Sequence, residues 1–267
     1  VQTVKAVIAG IDGSQAAVTA ALWGVDEANN RGVPLRLISV IAPTHVSPED
    51  YARDLTHAES SLNQAQNAVV ACGKGVTVET EIPRGPAGAA LIEASRDADM
   101  VCVGSVGIGR YARSLLGSTA TDLAENAHCP VAVVRTESGQ PPPVINWVVV
   151  RMTDAPDNDF VIKRAAWEAN LRRAPMLVLG GWPDELTEDA DGALERRVQE
   201  CRQRHPEVRV YPITTKNAIA SFLRKNGERV QLAVIGASEA DQLARLVGPT
   251  GHPLFRHPDC SVLVVRG

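Results

Sequence analysis

The sequence predicts an α/β fold made twice, as two tandem doubly wound parallel-sheet domains. Three observations carry that expectation. The chain repeats itself: LAENAHCPVAVVR at 123–135 aligns with LFRHPDCSVLVVR at 254–266, Cys129 on Cys260 and VAVVR on VLVVR. At the same offset LLGST at 115–119 falls on LVGPT at 246–250, and further back DADMVCVGS answers RVQLAVIGAS and ALWGVDEANNRGVPLRLISV answers AAWEANLRRAPMLVLGGW. Within each copy, short runs apolar on both sides alternate with helical patterns, as parallel strands covered by helices on both faces require. Finally, TESGQPPPVIN at 136–146 separates two apolar strands with glycine and three consecutive prolines. The domains expected are 1–138 and 147–267, joined by a linker at 139–146.

In the first copy the strands fall at 5–11, 35–41, 77–82, 100–104 and 131–135. The first helix, 14–30, offers Ala17, Ala21, Trp23, Val25 and Ala28 for packing and stops near Gly32-Val33-Pro34. The helix in 47–73 opens SPED, with Ser47 as N-cap and Pro48 in the first helical position. RGPAGAALIEAS starts a third helix at Pro86, and a fourth runs from Ser118. Trp23 and Trp167 read as equivalent core positions of the two copies.

Composition excludes several classes of function. At 267 residues, with 45% hydrophobic and 22% charged residues, the chain is globular. A net charge of −4 offers no basic face for nucleic acid. No apolar stretch approaches the roughly 20 residues that span a bilayer. VQTVKAVIAGIDGS enters a strand without signal-peptide architecture. No nucleic acid, no membrane and a cytoplasmic location are therefore expected. The five cysteines are widely spaced with no CxxC pair, which argues against structural zinc and a disulfide framework. Cys102 reads as a small buried hydrophobe.

In open sheets of this class ligands bind beyond the carboxyl ends of the strands. That rule puts two turns at one rim: GIDGS at 10–14 and GSVGIGRYARSLLGST at 104–119. Glycine between a strand and a helix suits positive φ or close approach of backbone to a ligand. A helix N-terminus adds unpaired N–H groups and the positive end of its dipole. The turn reads as a phosphate cradle, or as a tight reversal with no ligand. No GK[ST] follows, so it is not a Walker loop, and it follows the fourth strand, where a dinucleotide fingerprint would follow the first.

Its spacing, Gly104-x2-Gly107-x9-Gly117-Ser118, together with GIDGS and HCPVAVVR, closely resembles the universal stress protein family in its ATP-binding, tandem-domain form. The resemblance covers essentially the whole chain and is specific in the first copy. It implies a flavodoxin-like, adenine nucleotide alpha hydrolase-like fold that binds ATP, with Mg²⁺ carried by the phosphates. By resemblance Asp12 faces the ribose or adenine, Val40 lines the adenine pocket through its backbone, and Gly104, Gly107, Gly117, Ser118 and Thr119 hold the phosphates. Gly10, Ser14, Gly109 and Arg110 complete the candidate cofactor-binding set. The resemblance further implies association through the last strands of paired units, here an intramolecular pseudo-dimer, with a homodimer of whole chains as the next level.

Each residue also has a plainer reading. Asp12 or Ser14 serves as a helix N-cap, Arg110 is solvated on an exposed loop, and Arg84 before Gly85-Pro86 faces solvent. His128 and Cys129 precede a buried strand and read as packing. His252 and His257 lack the i, i+4 spacing of a zinc pair. No catalytic or metal-ligating set is expected.

The second copy departs from the pattern. Gly10-Ile11-Asp12-Gly13-Ser14 becomes Arg151-Met152-Thr153-Asp154-Ala155, Glu239 and Asp241 enter the loop after Gly236, and Pro249 removes a donor where Ser118 supplied one. One ATP per chain, in the first domain, is expected. The leading function is a nucleotide-dependent regulator of stress or growth state with a protein partner still to be defined. A slow ATPase or nucleotidyl/phosphoryl transferase and a nucleotide-independent scaffold are the alternatives.

Overall fold

The computed structural model describes residues 5–105, 116–135, 146–180, 190–215, 219, 222–223, 230–243, 246 and 260–266. The chain divides into two compact units, Val1–Thr136 and Glu137–Gly267.

The first unit alternates β1 (Ala6–Gly10), α1 (Gln15–Arg31), β2 (Leu35–Ile38), α2 (Pro48–Ala71), β3 (Val78–Glu81), α3 (Ala87–Ala94), β4 (Ala98–Gly104), α4 (Ser118–Asn126) and β5 (Val131–Val134). Its strands are parallel in the order β3-β2-β1-β4-β5. The chain winds outward from β1 to β3 and then returns to β4 on the other side. The order reverses between β1 and β4, and the crevice beyond their carboxyl ends is where such sheets bind ligands.

Local chemistry accounts for these elements. Ser14 caps α1, its Oγ accepting the Ala17 N–H at 3.1 Å, and Gly32 ends the helix at φ +65°. Ser47 caps α2, with Pro48 next, as the sequence suggests. The strands β1, β4 and β5 are buried almost throughout, and small residues let α1 lie close on them. A Cβ on Gly24 would come within 3.1 Å of Leu35 Cδ1. The second strand leaves the ladder at Ile38 rather than 41, because β1 has turned away at Gly10. Beyond it only an isolated bridge, Ile41 to Arg84, persists.

The second unit contains β6 (Trp147–Met152), α5 (Asn158–Leu171), β7 (Met176–Gly180), α6 (Ala190–Arg204), β8 (Val210–Thr214), β9 (Val230–Gly236) and β10 (Ser261–Val265). They are parallel in the order β8-β7-β6-β9-β10. Strand register equates the two units residue by residue. Val7 lies opposite Leu35 and Met100, and Val148 opposite Met176 and Leu232. Carried along the chain, this sets Gly10 on Arg151, Asp12 on Thr153, Ser14 on Ala155 and Gly104 on Gly236. It also sets Gly32 on Arg173, which takes φ +49° where Gly32 takes +65°.

The same register corrects the tryptophan pairing. Trp23 falls on Arg164, and Trp167 falls on Asp26. Both tryptophans are half-buried rather than core, and Arg164 stacks on Trp167 at 4.6 Å. What the helices do share is a buried carboxylate. Glu27 and its equivalent Glu168 are fully buried, the first paired with Arg31 at 2.6 Å and the second with Arg164 at 2.6 Å and with Arg172.

Cys102, Cys129, Cys201 and Cys260 are buried, Cys72 is partly so, and all five are free thiols. Cys129 thus packs, as expected, and His128 is exposed. Among the described residues no cluster of His, Cys, Asp and Glu could hold a metal, and no helix is long and apolar enough to cross a membrane.

Candidate functional site

The turn after β1 is built around a carboxylate and a hydroxyl. Asp12 Oδ1 accepts the Ser14 N–H at 2.9 Å, an Asx turn that holds the carboxylate at the chain reversal. Ser14, not Asp12, is the N-cap. Because its Oγ accepts from Ala17, its hydroxyl hydrogen remains able to donate. Gly13 between them has φ +85°, and a Cβ there would meet Ser61 Oγ at 2.8 Å and His57 Nε2 at 3.3 Å. Conformation and space both require glycine, and α2 therefore walls this turn.

Glycines in the motif have different causes. A Cβ on Gly104 would lie 2.8 Å from Ala16 Cβ and 2.9 Å from Ala16 C, and one on Gly10 would lie 3.0 Å from Leu91 Cδ1. Close packing of helices on strand ends accounts for both. Gly117 is otherwise: its φ is −62°, and among the described residues a Cβ would meet only Ser105 O, at an ordinary 3.7 Å. Among the described residues nothing obstructs a side chain at Gly117. Its own N–H donates to Ser105 O at 3.0 Å. Gly117 caps α4 without any side-chain hydrogen bond, and no acidic residue occupies the first turn. The Ser118, Thr119 and Ala120 amides, with no intrahelical acceptor, and an uncompensated helix dipole thus share this end. Ser118 is exposed and Thr119 half-buried.

Val40 sits beside the same rim. Ser39 N–H donates to Glu81 O, and Ile41 exchanges bonds with Pro83 and Gly85, all on the β3 side. By strand alternation Val40 presents its N–H and C=O on the β1 side, past the point where β1 ends, and neither has a partner among the described residues. Gly10, Asp12, Ser14, Val40, Gly104, Gly117, Ser118 and Thr119 are thus all placed at the carboxyl ends of β1, β2 and β4. Gly107, Gly109 and Arg110 lie outside the described residues, as do Pro249, His252 and His257.

Two groups beside the site involve residues with no role in the sequence reading, apart from Arg84, expected to face solvent and exposed here. One is His57 and Ser61, whose helical position gave no sign that they lie against Gly13. The other lies next to Val40. Exposed Arg84 stacks on the Tyr51 ring at 4.3 Å, Tyr51 meets His45 edge-on at 5.3 Å, and His45 Nε2 is 3.1 Å from Asp54 Oδ2. The position of Arg84 before Gly85-Pro86 was the available signal for it.

In the second unit the equivalent turn is closed by its own side chains. Thr153 Oγ1 accepts the Ala155 N–H at 3.3 Å, replacing the Asp12 contact without a carboxylate. Asn158, only 4% exposed, accepts the Thr153 N–H at 3.0 Å and donates to Arg151 O at 2.9 Å. Arg197 reaches from α6 to Thr153 O at 3.0 Å and to exposed Asp154 at 3.3 Å. Asp154 therefore does not take the place of Asp12. Glu239 follows Gly236 and is held half-buried. Burial pushes its carboxyl pKa up, against the lowering effects of a Gly236 backbone hydrogen bond and the Arg151 charge. Asp241 is exposed.

Comparison with known proteins gives a consistent result. The sequence model of the universal stress protein family matches residues 3–135. A universal stress protein of Mycobacterium tuberculosis is 70% identical over 99% of this chain and 97% of its own length. A second one from that organism is 35% identical over 98% of this chain and 96% of its own. Among solved structures, a universal stress protein from Archaeoglobus fulgidus matches with a TM-score of 0.73 at 17% identity, covering 99% of this chain and 97% of that one, a likeness of fold. With tandem α/β units, the glycine spacing at β4 and 70% identity across nearly its full length, this chain belongs to the universal stress protein family.

Proposed function

We propose that the first unit binds ATP in the crevice between β1 and β4, one nucleotide per chain, and that occupancy makes the protein a nucleotide-dependent regulator of stress or growth state. The observation that carries this reading is the Gly117–Ser105 closure. It brings the uncapped first turn of α4 to the end of β4, beside the Asp12 turn and the outward-facing backbone of Val40.

The donor set fits the ligand. First-turn amides of α4 and the hydroxyls of Ser118, Thr119 and Ser14 suit phosphate oxygens. Asp12 suits ribose hydroxyls, and the adjacent N–H and C=O of Val40 suit the paired acceptor and donor on an adenine edge. Mg²⁺ would arrive with the phosphates, since the described residues hold no carboxylate cluster for it. The second unit supports a single site because Thr153, which has no carboxylate, stands where Asp12 does, and Asn158 and Arg197 fill that turn with their own side chains. A regulator then follows if ATP binding biases conformation or partner choice.

The test is the nucleotide released on denaturing freshly purified protein. Stoichiometric adenine nucleotide is the expected result, and protein that neither carries it nor binds added ATP would overturn the reading. A phosphate-release time course should remain flat over the lifetime of the complex.

A further inference from the structure

The second unit contains a groove of about 410 Å³ between α5 and α6, with Met152 at its base. Unit register shows how it arises. Val18, buried in α1, falls on Asp159; Leu22 falls on Lys163; and Thr19 falls on Phe160. The first unit has valine, threonine and leucine at these positions, and the second has two charges and one large aromatic ring. The fold does not require that exchange, because the first unit carries uncharged side chains at all three positions.

The groove has two chemically distinct parts. Its floor is apolar: Met152, Ile162 and Cys201 are 6%, 8% and 3% exposed, and Phe160 stands beside them 52% exposed. Burial pushes the Cys201 thiol pKa up, so it remains a neutral lining group. The mouth carries both signs unequally. Asp159 is 3.7 Å from Arg197, and Glu200 is 3.3 Å from Arg204. Both carboxylates therefore have a guanidinium. Lys163 has no acidic partner within ion-pair distance among the described residues, so three cations line the groove, Lys163, Arg197 and Arg204, against two carboxylates, while Arg197 also meets Asp154 beyond it.

We propose that this groove is a second ligand site that takes a small amphipathic anion, an apolar tail ending in a single carboxylate. The tail lies on Phe160, Ile162 and Met152, and the head pairs with the Lys163 ammonium. The volume falls in the range of about 300–1,000 Å³ usual for small-molecule sites. Arg197 spans the groove and the closed turn at Thr153, so the ligand would touch the side chain that seals the equivalent of the nucleotide crevice.

Calorimetry of the full chain, with ATP present, against decanoate below its micellar concentration tests this directly. One saturable site is expected, with decanol binding weaker by about tenfold or more, since a charge-assisted contact is lost. Lys163→Glu and Phe160→Ala should each weaken decanoate by a similar factor, and Lys163→Gln should weaken it less than Lys163→Glu. Both side chains are exposed, so folding should survive, as circular dichroism would check. Gly117→Asp should leave decanoate binding intact, which separates this site from the nucleotide crevice. Absence of saturable binding, equal affinity for decanol, or unchanged affinity in both the Lys163→Glu and Phe160→Ala proteins would overturn the proposal.

Discussion

Gly117 donates its N–H to the Ser105 carbonyl at 3.0 Å, joining the start of α4 to the end of β4 across the glycine-rich segment. The bond needs only backbone, and among the described residues a Cβ on Gly117 would make no contact tighter than 3.7 Å. Substitution there therefore separates ligand binding from folding more cleanly than at Gly104, where any side chain would strike Ala16.

Gly117→Asp should weaken ATP binding by about a hundredfold or more, because a carboxylate then stands where phosphates approach the first turn. Stability should be unchanged or slightly raised, since aspartate is a favourable N-cap and α4 has no side-chain cap. Thermal denaturation alongside an ATP titration checks both halves. A folded variant of undiminished affinity would remove Gly117 from the site.

Glu239 gives a pH signature. Its folded-state pKa lies above the usual 4.5, chiefly through burial. Such a group contributes its stability fully below the unfolded value and loses it as pH rises through the folded one. From pH 4 upward the natural protein should lose stability relative to Glu239→Gln, whose amide can still accept from Gly236. Urea unfolding of both proteins across the acid to neutral range measures the difference. A constant difference, or one of opposite slope, would show that burial does not control this carboxyl.

Arg173 ends α5 with φ +49°, where Gly32 ends α1 with φ +65°. A side chain in the left-handed region is strained, and glycine removes the strain at some cost in unfolded-state entropy. Arg173→Gly should stabilise the second unit by about 0.5–1 kcal/mol. Chemical denaturation would reveal it, and a loss of stability would mean that contacts of the arginine side chain outweigh its backbone strain.

Features set by neighbours in sequence were the ones the sequence made legible. The repeat, the alternating elements, the Ser14 and Ser47 caps and the substituted second-unit turn all follow from short-range pattern. Features set by tertiary contact were not. Nothing local reports that Glu27 is buried beside Arg31. Gly104 has a packing cause as well, the close approach of Ala16, which no local pattern reports. Asn158 and Arg197 give no hint that they fill the second turn, since one lies on α5 and the other far along on α6. The tryptophans were paired because identical residues attract an alignment, whereas strand register places Trp23 on Arg164.

A single ATP site in a two-unit chain is the central claim, resting on a turn that carries the Asp12 carboxylate in one unit and a turn that Asn158 fills in the other. Calorimetric titration of the nucleotide-stripped, intact chain with ATP measures it. The stoichiometry should be near one per chain, and binding should be lost in Gly117→Asp. A stoichiometry near two, or full-affinity binding that survives Gly117→Asp, would show that the second unit holds nucleotide and contradict the assignment.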